Sequence, residues 1–332
     1  MNRLKKYLLM GVILTVGVIS IVGCSSSKEE NDKFKVGVVL GEGGANDQSF
    51  NQSSLAGLDK AKGELNIDGS YLESTQDADY TPNIDSFIDQ GSDLIIGVGY
   101  TTAESMLDAA KLYPDKKFVM IDHNYEEDGI DIPENMLCAI FDEREAAYLV
   151  GIIAANMTET NKIGFLGGMK IPNITRFEEG FAKGIKDSNK NIELQSQYAN
   201  SFDDASLGKS IATQMYTKGV DVIFSAAGGV GTGAIEVAKE SDKYAIGVDM
   251  DQNSLAPNNV ITSAMKRVDV GVFDIISKAS SDNFEGGKAV VYGLKDEAVG
   301  IAPSSNKNVS KEVLDVVDEK VQLIIDKKIS VK

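Results

Sequence analysis

Gly91-Ser92-Asp93-Leu94-Ile95 returns as Gly219-Val220-Asp221-Val222-Ile223, 128 residues further along the chain. Other echoes stand around it. Lys35-Val36-Gly37 returns as Lys162-Ile163-Gly164, Phe50 and Gly57 as Phe177 and Gly184, Tyr71 as Tyr198, and Asp122 as Asp249, each 127 residues on. One such coincidence would mean little, but a set kept in register from Lys35 to Asp122 points to two similar halves. The period is far longer than that of a solenoid, so this is a duplication rather than an array.

Each half alternates two kinds of pattern. Short, almost continuously apolar β-branched runs occur at 34–40, 94–98, 118–121, 163–166, 220–224, 244–248 and 260–265. Runs of this kind suit strands covered on both faces. Amphipathic segments lie between and after them, at 52–62, 102–112, 143–156, 177–186, 206–218, 268–281 and 312–327. Alternation of this type predicts parallel sheets with crossover helices. The expected fold is therefore α/β, with two doubly wound parallel-sheet lobes around a cleft. The expected first lobe is 34–141 plus 260–283, and the second is 142–258 plus 284–332, joined by about three crossings.

Composition narrows the function. The 332 residues carry 33 Lys+Arg against 50 Asp+Glu, a formal charge of −17, with 25% charged and 42% apolar residues. That is a folded chain, and its acidity argues against a nucleic-acid partner, which needs a basic footprint. Two cysteines exclude a disulfide scaffold, and the single histidine, His123, excludes a His-rich metal site.

The N-terminus reads as a leader. Arg3, Lys5 and Lys6 precede a largely apolar run without charges, 7–22, followed by Gly23 and Cys24. The run is shorter than the ~20 residues a membrane span requires, and its flanks are those of a secretory signal. Ile21-Val22-Gly23-Cys24 resembles a bacterial lipobox, although Leu is more usual where Ile21 stands. The resemblance implies removal of 1–23 and lipidation of the Cys24 thiol, hence a lipid-anchored protein outside the cytoplasm. The segment 24–33 is expected to be a tether, since SSSKEENDK has no apolar residue. Cys138, inside MLCAIF, is expected to be a buried small hydrophobe.

Open α/β sheets bind ligands beyond the carboxyl ends of their strands. The repeat places Phe50 and Phe177 there, each at the start of its lobe's first helix. It also places Asp122 and Asp249 there, each just after a strand. Each aromatic could equally pack in a core, and each aspartate could cap a helix.

Enzyme patterns are missing. There is no G-x-S-x-G elbow and no Walker loop. Asp249-x-Asp251-x-Asn253 opens like a calcium loop but has Ser254 in place of the required Gly and Val260 in place of the closing Glu. His123 follows Asp122 but has no nucleophile assigned to it, and reads as a polar residue on the cleft rim. Neither catalysis, a cofactor nor a metal is expected.

Two stretches are distinctive: Asn46-Asp47-Gln48-Ser49-Phe50-Asn51-Gln52, and Gly167-Gly168-Met169 with Pro172, Phe177, Gly180, Phe181 and Gly184. On these the chain from 34 onward resembles the basic membrane protein family of lipoproteins. Tyr148-Leu149-Val150-Gly151, Ser201-Phe202-Asp203-Asp204 and Ala227-Gly228-Gly229 add to the resemblance. It implies the ribose-binding-protein type of fold and a purine-nucleoside receptor serving ABC permease subunits with an ATPase, acting as a monomer. Phe50 would stack on one face of the base, and Phe202 or Phe177 on the other. Asp122 would accept from the base edge, while Asp249 and Lys266 would hold ribose hydroxyls. Asn46, Asp47 and Asn51 would flank Phe50 at the ligand, and Gly228 and Gly229 would let backbone approach the sugar. A sugar or another small polar metabolite would suit the same fold, and a surface signalling role without an importer also stays open.

Overall fold

In the computed structural model, which describes residues 33–188 and 190–331, the apolar runs build two six-stranded sheets. The expected leader, Cys24 and nearly all of the tether lie outside the described residues. The elements in chain order are β1 (Phe34–Leu40), α1 (Phe50–Glu64), β2 (Ile67–Leu72), α2 (Tyr80–Asp89), β3 (Leu94–Val98), α3 (Ala103–Leu112), β4 (Lys117–Ile121) and β5 (Met136–Phe141). The chain continues with α4 (Glu143–Met157), β6 (Lys162–Gly167), α5 (Pro172–Asp187), β7 (Glu193–Tyr198), α6 (Ala205–Thr217), β8 (Val222–Ala226), α7 (Gly228–Glu240), β9 (Tyr244–Asp249) and β10 (Val260–Lys266). It ends with α8 (Val268–Ser280), β11 (Lys288–Tyr292), β12 (Val299–Ile301) and α9 (Lys311–Ile325).

The sheets run β11-β5-β4-β3-β1-β2 and β12-β10-β9-β8-β6-β7. All pairings are parallel except β12 on β10. The strand order reverses between β1 and β3 in one sheet and between β6 and β8 in the other, which marks the switch points where such sheets bind ligands. The register reproduces the sequence repeat, because Gly37 stands opposite Ile95 and Gly164 opposite Ile223. Successive residues feed opposite apolar layers: Val38 and Val98 on one side of the first sheet, Val39 and Ile95 on the other. That two-sided burial explains why these strands read as unbroken apolar runs.

The lobe boundaries need correction. β10, expected in the first lobe, pairs with β9 in the second sheet. β11, expected in the second lobe, pairs with β5 in the first. The chain crosses between the sheets after β5, after β10 and after β11. The reason is that β10 is the counterpart of β5: a connection after β9 returns the chain parallel to it, just as the connection after β4 leads into β5. α8, which follows β10, packs on α1 in the first lobe. Among the described residues no helix is long and apolar enough to cross a membrane.

Candidate functional site

Between the two switch points lies a cavity with about 760 Å³ of space between its atoms, mouth included. The first lobe supplies its wall from the segments after β1, β3 and β4, with Asp47, Phe50, Asn51, Tyr100 and Asp122. The second lobe supplies Asn173, Phe177, Phe202, Gly228, Gly229, Asp249 and Lys266. Every group thus sits at the carboxyl ends of strands, where the backbone of a doubly wound sheet is free to turn toward a ligand. Asn46 lies instead on an adjoining recess with Gln48, Asp203 and Thr232.

Asp47, in the loop before α1, and Asn51, in its first turn, also stand on the wall. Asp47 accepts from the backbone N–H of Ser49, Asn51 and Gln52 at 2.8 to 3.0 Å and so caps α1. Burial pushes its carboxyl above the usual range, against the pull of those donors. The Asn51 amide nitrogen donates to the carbonyls of Gly41, Glu42 and Gly44 at 3.1 to 3.2 Å, which fixes the turn after β1.

Phe50 is half-buried, and Phe202 has its ring close against Gly168. Phe177 is buried and also meets Phe224 edge-on at 5.8 Å, so it is core and wall at once. The cavity therefore has Phe177 and Phe202 on the second-lobe side. Gly228 and Gly229 do not form an open loop but begin α7. Gly228 has φ +53 and a side chain there would meet the Phe202 carbonyl, so the close approach it permits is to this segment of the wall.

Asp122 and Asp249 are the most constrained residues of the site. Both are buried and both have positive φ, +70 and +63. Asp122 Oδ2 accepts from Lys266 Nζ, and from Asn173 Nδ2 at 3.2 Å. Asp122 Oδ1 and Asn173 Oδ1 are buried with no partner among the described residues. Burial raises the Asp122 carboxyl above its ordinary range against the pull of Lys266, and repulsion from the Glu143 carboxylate adds to the rise. Asp249 Oδ2 accepts from Ser49 Oγ of the other lobe. Burial pushes its carboxyl up to about 7, again against Lys266.

Lys266 was expected to pair with Asp249 on a sugar. Its hydrogen-bonded partners are Asp122 and, at 3.2 Å, Glu143, while Asp249 acts on it through space. Burial works against the ammonium, but the three carboxylates outweigh it and hold Lys266 above its ordinary pKa. The ring of Phe50 lies 4.8 Å from Nζ and that of Phe177 5.9 Å. The three expected polar contacts are therefore one cluster beside two aromatic faces.

Glu143, Arg176, Asn173 and Ser49 were not singled out in the sequence. Asn173 could have been, since it is the repeat partner of Asn46. His123 also departs from expectation. It is buried between Tyr100 and Tyr125, at 5.3 and 4.5 Å between ring centres, with Nε2 3.2 Å from Asp128 Oδ2. Burial holds its pKa below the ordinary value, against Asp128 and Glu127. Cys138 is a free buried thiol pushed up to about 12 by burial.

Comparison with known proteins agrees with this architecture. Residues 34–332 match the family described as ABC transporter substrate-binding protein PnrA-like. A Lactococcus lactis subsp. cremoris protein named ABC transporter nucleoside-binding protein BmpA is 37% identical, over 98% of this chain and 99% of its own. Basic membrane protein A of Borreliella burgdorferi is 40% identical, over 99% and 96%. A CD4+ T-cell-stimulating antigen of Listeria monocytogenes is 40% identical, over 98% and 97%. Among solved structures, an ABC transporter solute-binding protein from Aeropyrum pernix K1 superposes with a TM-score of 0.81 at 30% identity, over 90% of this chain and 92% of that one. With two matched lobes, a cavity at both switch points and these relatives along nearly its whole length, the chain belongs to the PnrA-like family of ABC transporter substrate-binding proteins.

Proposed function

We propose that this protein captures purine nucleosides for an ABC importer, as a monomeric receptor held outside the cytoplasm by a lipid on Cys24, and that it is a binder rather than an enzyme. The observation that carries the reading is the coupling of flat aromatic walls to one buried polar cluster with an open acceptor, Asp122 Oδ1. A purine offers a large π face, and stacking on an aromatic ring contributes about 1–3 kcal/mol. Ring or exocyclic N–H groups would satisfy Asp122, and ribose hydroxyls would donate to Asp249 and accept from Lys266. The nucleoside-binding name of the Lactococcus lactis relative favours the same ligand class.

Calorimetry with adenosine, guanosine, inosine, adenine and ribose tests the assignment. Nucleosides should bind at least about tenfold more tightly than free bases, since an unfilled sugar position leaves buried polar groups unpaired. Phe50→Ala should weaken nucleoside binding with little change in melting temperature. Tight binding of ribose or another sugar, with no heat from any purine nucleoside, would overturn the reading.

A further inference from the structure

Glu143 opens α4, is fully buried and is not on the cavity wall. Its two oxygens serve two cations: Oε1 accepts from Lys266 Nζ at 3.2 Å, and Oε2 from Arg176 Nε at 2.8 Å. Lys266 does stand on the wall, with Asp122 as its other partner. Arg176 continues to the first lobe, where Nη1 lies 3.5 Å from Glu127 Oε2. A buried ammonium facing a cavity attracts anions unless other charges offset it. Here Asp122 and Glu143 divide it by hydrogen bonds and Asp249 acts on it through space, so three buried carboxylates offset Lys266 and Arg176.

We propose that Glu143 is a positioning residue that sets ligand charge: it seats Lys266 against Asp122 and neutralises enough of the cluster that the cleft takes neutral hydroxylated ligands and refuses anionic ones. The choice of adenosine as probe rests on the nucleoside reading above; the charge argument does not. A carboxylate at a helix N-terminus also stabilises the helix. That role alone would lower stability on substitution without changing which ligand charge the cavity prefers.

Glu143→Gln keeps the shape of the side chain and removes one negative charge from the cluster, which leaves Lys266 less neutralised. A unit charge a few ångströms from a partly buried ligand changes relative affinities by at least about tenfold. Calorimetry on the purified protein should therefore show weaker adenosine binding and an AMP-to-adenosine affinity ratio raised at least about tenfold over the wild type. At matched ionic strength, inorganic phosphate should raise the melting temperature of Glu143→Gln and not that of the wild type. An unchanged ratio with no phosphate effect would overturn the proposal. If the wild type binds no purine nucleoside, the nucleoside reading falls and the phosphate arm alone decides the role of Glu143. If Glu143→Gln does not fold, Glu143→Asp decides. That variant keeps the charge but cannot reach both cations, so weakened adenosine binding with AMP still excluded supports the proposal, and wild-type adenosine affinity overturns it.

Discussion

Asp249 is held near the midpoint of its titration at neutral pH, which makes its protonation measurable. The carboxyl ionises near 3.8 in its ordinary state and at about 7 in the folded protein. The folded state thus binds the proton more tightly than the unfolded chain, and its stability from this group is complete below 3.8 and lost as pH rises toward 7. At 1.36 kcal/mol per pKa unit the effect is on the order of 4 kcal/mol. Asp249→Asn keeps an acceptor for Ser49 and removes the titration. Urea unfolding should show the variant gaining on the wild type between pH 4 and pH 8, and a constant difference across that range would refute the assignment. The sequence repeat made both aspartates visible, because each stands at the end of an equivalent strand. It could not distinguish Phe177 from Phe202, since a ring that is part core and part wall has the pattern of either. Glu143 and Arg176 were illegible for a related reason: charged residues in the first turns of amphipathic helices look solvated until packing buries them.

At the scale of elements, the helix pairs depend on glycines where backbones meet. A side chain at Gly184 of α5 would sit 2.1 Å from the Tyr148 carbonyl of α4, and one at Gly180 would sit 2.4 Å from that of Arg144. Neither obstacle is a flexible side chain, so the helices themselves would have to separate. Overpacking of this kind costs roughly 1–3 kcal/mol, and more where backbone must move. Gly184→Ala should therefore lower the melting temperature measurably, whereas Gly63→Ala, at an exposed position with open space around it, should not. The interior strands were largely readable as apolar runs. β2, β7, β11 and β12 were not, because they lie at sheet edges and β2 (IDGSYL) and β7 (ELQSQY) carry polar, partly exposed residues. β5 was seen only as the setting of Cys138, and missing it displaced β10 into the wrong lobe. α7 was hidden by its glycines, of which Gly233 admits the Ala205 carbonyl of the neighbouring segment.

Across the whole molecule, several groups that line the cavity also tie the lobes together, and the ties are reciprocal. Asp122 of the first lobe is held by Asn173 at the start of α5, while Asp249 of the second is held by Ser49 at the cap of α1. Gln252 adds a bond to the Gln48 carbonyl at 2.9 Å. A receptor must open to admit a ligand and close to bury it, and a ligand bound between the lobes favours closure by its differential contact with the closed form. Ser49 separates the two roles, because it bridges the lobes without standing on the cavity wall. Removing its hydroxyl should cost closure and leave every proposed ligand contact in place. Apparent affinity is scaled by the fraction of molecules in the competent state, and a hydrogen bond contributes about 0.5–1.5 kcal/mol, more as its acceptor ionises, so Ser49→Ala should weaken nucleoside binding by roughly threefold to tenfold. Small-angle scattering should show the wild type becoming more compact with saturating inosine. Ser49→Ala should be more extended than the wild type without inosine and reach the same compact form when enough is added. Wild-type affinity together with superimposable scattering curves would show that this bond does not govern the hinge, and would leave the bonds of Asp122 with Lys266 and Asn173 and of Gln252 with Gln48 to close it.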